Sequence, residues 1–312
     1  MTIKKAIFLG WLFFFSSQSF LKAESLFFSA GNDLGGILVN RRPFGQTWFE
    51  PNTNTSSKIG PEIFHQGENL IELVLLVTKE GGSYTFQFEG LTDEKLYDAR
   101  IVTSWHDPVN QDEKEVKEIT IEWKEPSMET MRFPIKEAQQ LIVSLEKDDN
   151  EKLVATPEYQ EVKLNNRSLV SQVIIKVPYY SVKGAPVAPP WMDSVRYQKE
   201  DFIEVEKIVN QYAKLLVGKN IKGLEVLCDE LWRWQAACRG ETFEQRREAV
   251  RRASERHRNL EIAKIELTKI DVFPLSPIIR ISGNQIGLSL DGKPIYLEMK
   301  LFKKDDHWKI GL

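Results

Sequence analysis

Every second residue is apolar in several segments between residues 24 and 182. The alternation is clearest in Tyr84-Thr85-Phe86-Gln87-Phe88 and in Ile119-Thr120-Ile121-Glu122-Trp123. Such segments bury one face of a strand and expose the other to water. Sequences typical of turns, such as Gly31-Asn32-Asp33 and Asp148-Asp149-Asn150, separate the segments. The pattern predicts about nine short strands and no helix, which favours an antiparallel β-sandwich. The predicted strands are Leu26–Ser29, Gly36–Val39, Gln46–Phe49, Leu70–Thr78, Ser83–Phe88, Ala99–Trp105, Glu118–Trp123, Gln140–Leu145 and Val170–Tyr180.

The period of the apolar residues changes to 3.6 after residue 198. One apolar stripe runs from Phe202 to Leu216 and predicts a helix that ends at Gly218. A second stripe, Leu224 to Trp234, predicts a helix that ends at Gly240. Thr242 and Gln245 form a capping box that opens an Arg-rich third helix, which reaches about Arg258. The strands predicted after it are Glu261–Val272, Ile278–Ser282, Gln285–Ser289, Pro294–Phe302 and Trp308–Ile310.

Residues 183–197 separate the two patterns. Gly184 and three prolines interrupt both helix and strand there, and Pro189-Pro190 favours a stiff polyproline II segment. We therefore predict a Pro-rich linker at 183–197 between a β-sandwich domain at 24–182 and an α+β domain at 198–312.

The N-terminus has the three parts of a secretory leader. Lys4 and Lys5 precede the apolar run Ala6–Phe15, and Ser16–Ala23 is polar and small. The apolar run is about half of the roughly 20 residues that a membrane-spanning helix needs. We predict a cleavable signal peptide at 1–23, with a competing cut after Ser19, and export to the periplasm or the exterior. No later segment is apolar enough to predict a transmembrane helix in the mature chain.

Two segments of the first domain resemble motifs of the accessory β-sandwich (jelly-roll) modules of secreted proteins. Ile37-Leu38-Val39-Asn40 is similar to their "V-N-G" turn, and Gly67-Glu68-Asn69-Leu70-Ile71-Glu72-Leu73 to their "G-E-N-x-I-x-L" strand entry. Arg41 stands where those modules usually have Gly. The resemblance implies a sandwich in which the Asn69 side chain caps the turn.

The second domain resembles the NTF2-like (cystatin-related) α+β family. Tyr212-Ala213-Lys214-Leu215-Leu216-Val217-Gly218-Lys219-Asn220 is similar to that family's "Y-A-x-x-L-x-x-x-N/D", and the chain ends on its "W-K-I" strand. The resemblance covers about residues 200–312. It implies a cone of helices on a curved antiparallel sheet, with a cavity between them. Three helices before the first strand depart from the family's usual order.

Charge is unevenly divided between the two domains. Residues 24–195 carry 17 Lys and Arg against 27 Asp and Glu, whereas residues 196–312 carry 22 against 18. Much of the second domain's positive charge lies on the third helix, where Glu248 and Arg252 have a favourable i,i+4 spacing. Three interpretations of this helix stay open: a salt-bridged surface, contact with the acidic first domain, or an anionic ligand. Export argues against nucleic acid as a partner.

Few residues suggest chemistry. The chain contains four His, and no catalytic, phosphate-loop or metal motif is present, so no cofactor or metal is predicted. Cys228 and Cys238 lie about 15 Å apart if one helix carries both, beyond the Cα limit of about 7 Å for a disulfide. Either the helix breaks between the two cysteines, which would allow a disulfide, or both are free thiols.

The ligand-binding candidates are Tyr212, Asp229 and Trp232. Trp232 falls two positions off the apolar stripe, so it should lie near the helix edge, either at the mouth of the cavity or packed on the linker next to Trp191. The leading hypothesis is an exported, non-catalytic binding or interaction protein that takes an unknown protein or small molecule. One alternative is an NTF2-like isomerase or hydrolase that uses Tyr212 or Asp229. A second alternative is a carbohydrate-binding sandwich with a platform of Trp48, Trp105 or Trp123.

Overall fold

The computed structural model describes residues 26–31, 34–44, 55–59, 64–78, 82–89, 95–105, 117–125, 127–149, 152–163, 169–181, 186–256, 259–273 and 275–311. The chain divides into two compact units near residue 184. We call the described residues up to 181 the first unit and those from 186 the second unit. The protein is mostly β, and the three described helices all lie in the second unit.

The described residues of the first unit contain twelve strands in two six-stranded sheets. Numbered in chain order, they are β1 (Leu26–Gly31), β2 (Leu34–Val39), β3 (Arg42–Phe44), β4 (Thr55–Ile59), β5 (Gly67–Thr78), β6 (Gly82–Glu89), β7 (Lys95–Trp105), β8 (Lys117–Glu125), β9 (Glu129–Ile135), β10 (Gln139–Lys147), β11 (Leu153–Glu161) and β12 (Leu169–Ser181). The sheet orders are β4-β1-β6-β7-β8-β9 and β11-β10-β12-β5-β2-β3.

The four strands that the apolar alternation did not predict are the four outermost strands of these sheets: β3, β4, β9 and β11. In β11 only Leu153 is buried, and most of the following side chains are exposed. An edge strand pairs through its backbone on one side only and needs few apolar side chains to do so. The sequence of β11 accordingly lacks the alternation that marks an interior strand. β9 does alternate, with Met131, Phe133 and Ile135 on the core side, and was missed in the sequence although its pattern was present. The predicted strand Gln46–Phe49 lies outside the described residues.

One pair of strands is parallel, although the sequence predicted an antiparallel arrangement. Gln139–Ser144 of β10 pairs in parallel with Ser171–Lys176 of β12. β11 turns back along one edge of β10, and β12 then returns on the other edge of β10. Two reversals of direction bring β12 into the orientation of β10.

Inward side chains from both sheets share one hydrophobic core. Phe86 and Ile121 of one sheet and Leu73 and Ile175 of the other are all fully buried. Thr85, the neighbour of Phe86, is exposed, so the predicted alternation of buried and exposed faces is confirmed for β6. Burial of each such side chain contributes about 1.5–3 kcal/mol to folding.

The two segments that resemble jelly-roll motifs meet in space. Asn40 and Asn69 are 1% and 4% exposed, and the Asn40 amide donates to Asn69 Oδ1 at 2.7 Å. Asn69 also accepts from the His65 N–H at 3.0 Å and donates to the carbonyls of His65 and Gly67, both at 2.9 Å. The prediction that Asn69 caps the turn is confirmed. Buried backbone groups at this corner obtain their partners from the two amides.

The second unit consists of three helices followed by seven strands within its described residues. The helices are α1 (Phe202–Val217), α2 (Ile221–Arg239) and α3 (Phe243–Arg256). The strands are β13 (Leu260–Ile265), β14 (Asp271–Val272), β15 (Ile279–Ile281), β16 (Ile286–Leu290), β17 (Lys293–Tyr296), β18 (Met299–Lys304) and β19 (His307–Ile310). They form two antiparallel sheets, β13-β16-β17 and β14-β15-β18-β19.

The helix ends follow the signals in the sequence. Thr242 Oγ1 accepts from the Gln245 N–H at 3.2 Å and Gln245 Oε1 accepts from the Thr242 N–H at 2.7 Å, so the capping box is confirmed. Gly240 ends α2 with a left-handed backbone (φ 64°), the conformation that glycine adopts most easily. At the end of α1, however, the left-handed residue is Lys219 (φ 52°) and not Gly218. Asn220 then caps α2, accepting from the Gly223 N–H at 2.9 Å.

Two long strands predicted near the C-terminus are each divided in the structure. The predicted Glu261–Val272 becomes β13 and β14, and the predicted Pro294–Phe302 becomes β17 and β18, which belong to different sheets. Between β13 and β14, Gln285 Oε1 accepts from the N–H groups of Thr268 and Lys269 at 2.7 and 2.8 Å. A side-chain amide thus satisfies backbone groups that a strand partner would otherwise bind.

A buried carboxylate joins β14 to β15. Asp271 Oδ2 accepts from Arg280 Nη2 at 3.0 Å and from Ser282 Oγ at 2.9 Å, and Oδ1 lies 3.1 Å from Lys269 Nζ. Burial opposes ionisation of Asp271, but the hydrogen bonds from Lys269, Ser282 and Arg280 outweigh it and hold its pKa below the ordinary value. The carboxylate is therefore charged and paired at neutral pH.

Residues 186–197, which the sequence analysis assigns to the linker, pack as part of the second unit. Trp191 is 0% exposed, and its ring meets the rings of Trp234 and Phe302 edge-on at 5.0 and 6.3 Å. Val195 forms an isolated β-bridge with Lys303 of β18. The prolines stop helix and strand here, as the sequence indicates, but they do not prevent an indole from entering a core.

Candidate functional site

Two of the three ligand-binding candidates, Tyr212 and Trp232, lie on the inner faces of α1 and α2, and the third, Asp229, is partly exposed on α2. Tyr212 and Trp232 are 7% and 3% exposed and belong to the hydrophobic core of the second unit. The structure thus places Trp232 inside the core and not at the helix edge. α2 packs against α1, α3 and β19 together, so its buried surface is wider than the single stripe that the sequence marks. Trp191 meets the rings of Trp234 and Phe302 edge-on.

Tyr212 is poorly suited to acid–base or nucleophilic chemistry. Burial raises the pKa of its hydroxyl well above the ordinary value, and the neighbouring Cys228 raises it further. Burial likewise raises the pKa of the Cys228 thiol, and Asp229 adds to the effect. Both groups are fully protonated at neutral pH, whereas a general base or a nucleophile needs a pKa near the working pH.

Asp229 connects α2 to the sheet. Its carboxylate lies 3.5 Å from Lys309 Nζ of β19, and its side chain is about one-third exposed. The next residue, Glu230, accepts from Lys304 Nζ of β18 at 2.8 Å. These two ion pairs hold the helix over β18 and β19, which is a structural use of the carboxylate.

A groove of about 350 Å³ lies elsewhere, between the start of α2 and the middle of α3. The α3 residues that line it are spaced i, i+3, i+4 and i+7, so they share one face of the helix. Facing them is the turn that joins α1 to α2. The lining residues are Lys219, Asn220, Ile221, Lys222, Glu244, Arg247, Glu248 and Arg251. We call this the α2–α3 groove.

The α3 side of the groove is a ladder of ion pairs. Arg251 contacts Glu248 at 2.7 Å and Glu255 at 2.6 Å, and Arg252 contacts Glu248 at 3.0 Å. The predicted i,i+4 pair of Glu248 and Arg252 is thus confirmed. Hydrogen bonds from Arg251 and Arg252 lower the pKa of Glu248 to about 2. Across the groove, Arg247 Nε lies 2.8 Å from Glu225 Oε2 of α2.

The opposite side of the groove carries uncompensated positive charge. Lys219 is half-buried and Lys222 is exposed, and neither forms an ion pair within the described part of the chain. The sequence analysis named the Arg-rich helix but missed these two lysines. The available signal was short: Gly218-Lys219-Asn220-Ile221-Lys222-Gly223 places two lysines in a turn between two helices.

One of the three tryptophans named for the carbohydrate-binding alternative is buried in the core. Trp123 is 2% exposed, and its ring meets Tyr97 edge-on at 6.2 Å inside the core of the first unit. It cannot stack on a sugar from there. Trp48 and the side chain of Trp105 lie outside what the structure describes.

Within the described ranges, no group of three His, Cys, Asp or Glu side chains is placed to hold a metal ion. None of the described helices has the length and apolarity needed to cross a bilayer.

In comparisons with known proteins, no family model, curated protein or solved structure matches this chain significantly.

Proposed function

We propose that this is an exported, non-catalytic binding protein, built as a β-sandwich followed by an NTF2-like α+β domain. Two six-stranded sheets around one core support the first assignment. Three helices that share a core with two antiparallel sheets support the second. The ligand is an unknown protein or small molecule, and nucleic acid is not proposed as a partner.

The α2–α3 groove is the proposed binding site, and it is the observation that carries the proposal. Its volume of about 350 Å³ falls in the range of small-molecule sites, about 300–1,000 Å³. Its lining offers ammonium, guanidinium, carboxylate and amide groups for recognition, and these come from two helices and one turn that the ion pairs hold in place. Such groups bind and orient a ligand. Of the two residues named for the enzymatic alternative, Tyr212 lies in the core with a raised pKa, and Asp229 is paired with Lys309.

Amide chemical-shift mapping on the full chain tests the groove. Four probes cover the main ligand classes: inorganic phosphate, succinate, spermidine and glucose. The proposal expects at least one of them to shift the amides of residues 219–222 and 244–251 saturably. The amides of the β16–β17 turn, residues 291–292, serve as an internal control. If all four probes leave the groove unchanged, the groove is not the binding site.

Export is the second part of the proposal and rests on the leader at 1–23. Cell fractionation followed by intact-mass measurement tests it. We expect the protein outside the cytoplasm, with a mature chain that begins close to residue 24. A cytoplasmic protein that retains Met1 would contradict export and leave the groove proposal standing.

A further inference from the structure

The charges of the α2–α3 groove are not matched to one another. Its lining contains four cations, Lys219, Lys222, Arg247 and Arg251, but only two carboxylates. The arginines are each paired within 3 Å: Arg247 with Glu225, and Arg251 with Glu248 and Glu255. Glu225 and Glu255, which lie outside the lining, neutralise the arginines, so the lining cations without a carboxylate partner among the described residues are Lys219 and Lys222 at the α1–α2 turn.

The two lysines lie on the same side of the groove because of the local backbone. Lys219 occupies a left-handed position directly after α1, and Asn220 caps α2 through the Gly223 N–H. The chain reverses within these residues, so a short turn brings both lysines to the groove. Asn220 and Ile221 lie between them and complete this wall.

We infer that the α2–α3 groove binds a small anion, one that carries a carboxylate or a phosphate group, on Lys219 and Lys222. This inference rests on the proposed function of the groove. An anion gains from both ammonium groups. On the α3 side the carboxylate of Glu248 and the guanidinium groups of Arg251 and Arg252 are already paired with one another, so the two lysines are the groups left to bind a charged ligand. The volume of about 350 Å³ suits a small molecule and not a polymer.

The test measures the binding of inorganic phosphate and succinate to the full chain by amide chemical shifts at low ionic strength. Two double variants that remove the same charge are compared: Lys219→Gln with Lys222→Gln, and Lys199→Gln with Lys293→Gln as the control. The control lysines are exposed and lie outside the groove. Unfolding midpoints of both variants establish that they fold.

The inference expects at least one anion to bind at the groove and to bind about fivefold or more weakly in the groove variant. The control variant should stay within about twofold of the natural chain. Raising the salt from about 20 to about 200 mM should weaken binding, since exposed charges are screened. The salt titration uses the natural chain, so it tests the binding of anions to the groove even if a variant does not fold. Binding of phosphate alone or of succinate alone supports the inference and identifies which anion is preferred.

Anion binding that is equally strong in the groove variant would overturn the inference, as would insensitivity to salt. The absence of an amide shift with either anion would also overturn it. In that case spermidine and glucose distinguish the proposal that the groove is a binding site from the inference that its ligand is an anion. A shift of the groove amides with either one means that the ligand class is wrong and the groove is still a binding site. No shift with any of the four probes removes both proposals.

Discussion

Replacing Trp191 with alanine should strongly destabilise the second unit, although the sequence pattern assigns this residue to a linker. The indole is fully buried against Trp234 and Phe302. A buried aromatic side chain covers about 150–250 Å². At about 25 cal/mol per Å², that area corresponds to about 4–6 kcal/mol.

Measured truncations of buried aromatic side chains cost about 3–5 kcal/mol, close to this figure. A domain of this size is stable by about 5–15 kcal/mol in total. The variant should therefore stay folded at room temperature, but with a much smaller free energy of unfolding. At about 3–5 °C per kcal/mol, the midpoint of thermal unfolding should fall by about 10–20 °C.

Calorimetry of the full chain measures the midpoint, and hydrogen exchange locates the change. Amides of β18 and β19 should lose protection, because Trp191 packs on Phe302 of β18, whereas amides of β8 should not. Tyr180→Ala is the matched control, since Tyr180 is 68% exposed and its loss should cost less than about 0.5 kcal/mol. If Trp191→Ala is as mild as this control, residues 186–197 behave as a linker and the packing argument is wrong.

Three further predictions concern single residues. Cys228 and Cys238 should both titrate as thiols in denaturant without reductant, because α2 is one continuous helix; a linked peptide in mass spectrometry would contradict this. Asn69→Ala should cost about 2–4 kcal/mol in urea unfolding of the first unit, because it leaves buried backbone groups unpaired; a cost below about 1 kcal/mol would show that water replaces the amide. Asp271 has a lowered pKa when folded, so its stabilisation is complete above about pH 4 and is lost as the pH falls through the folded value. The stability difference between the natural chain and Asp271→Asn should thus stay nearly constant from about pH 7 to pH 5 and shrink as the pH falls below about 4, and a difference that stays constant there would refute the pairing.

Local signals in the sequence predicted the interior strands and the helix ends well. Phe86 and Ile121 are buried, as the alternation in their strands predicts. Neighbouring side chains in a strand point to opposite faces, so the alternation identifies the buried face directly. Thr242 with Gln245, and Gly240, act through hydrogen bonds and backbone angles within a few residues. Such features need no information from distant parts of the chain.

The candidate site was predicted less well, since it depends on how helices pack. The apolar stripe of α2 placed Trp232 at an edge, but three neighbouring elements cover that helix and bury the side chain. The α2–α3 groove exists because α3 lies along the start of α2. The ion pair between Arg247 Nε and Glu225 Oε2, at 2.8 Å, joins the two helices there. Nothing in the spacing of residues 219–222 and 244–251 gives that juxtaposition.

The sequence by itself determined which segments become interior strands and helices, where the helices begin and end, and that Cys228 and Cys238 are too far apart to pair. Each of these follows from contacts within about one turn or one strand. Only the tertiary structure decided edge strands such as β11, the division of β13 from β14 at Gln285, the burial of Trp191 and the groove, whose two lysines form no ion pair with the described residues. Those features arise where elements distant in sequence meet, and burial at such places is set by the neighbours and not by the residue's own pattern.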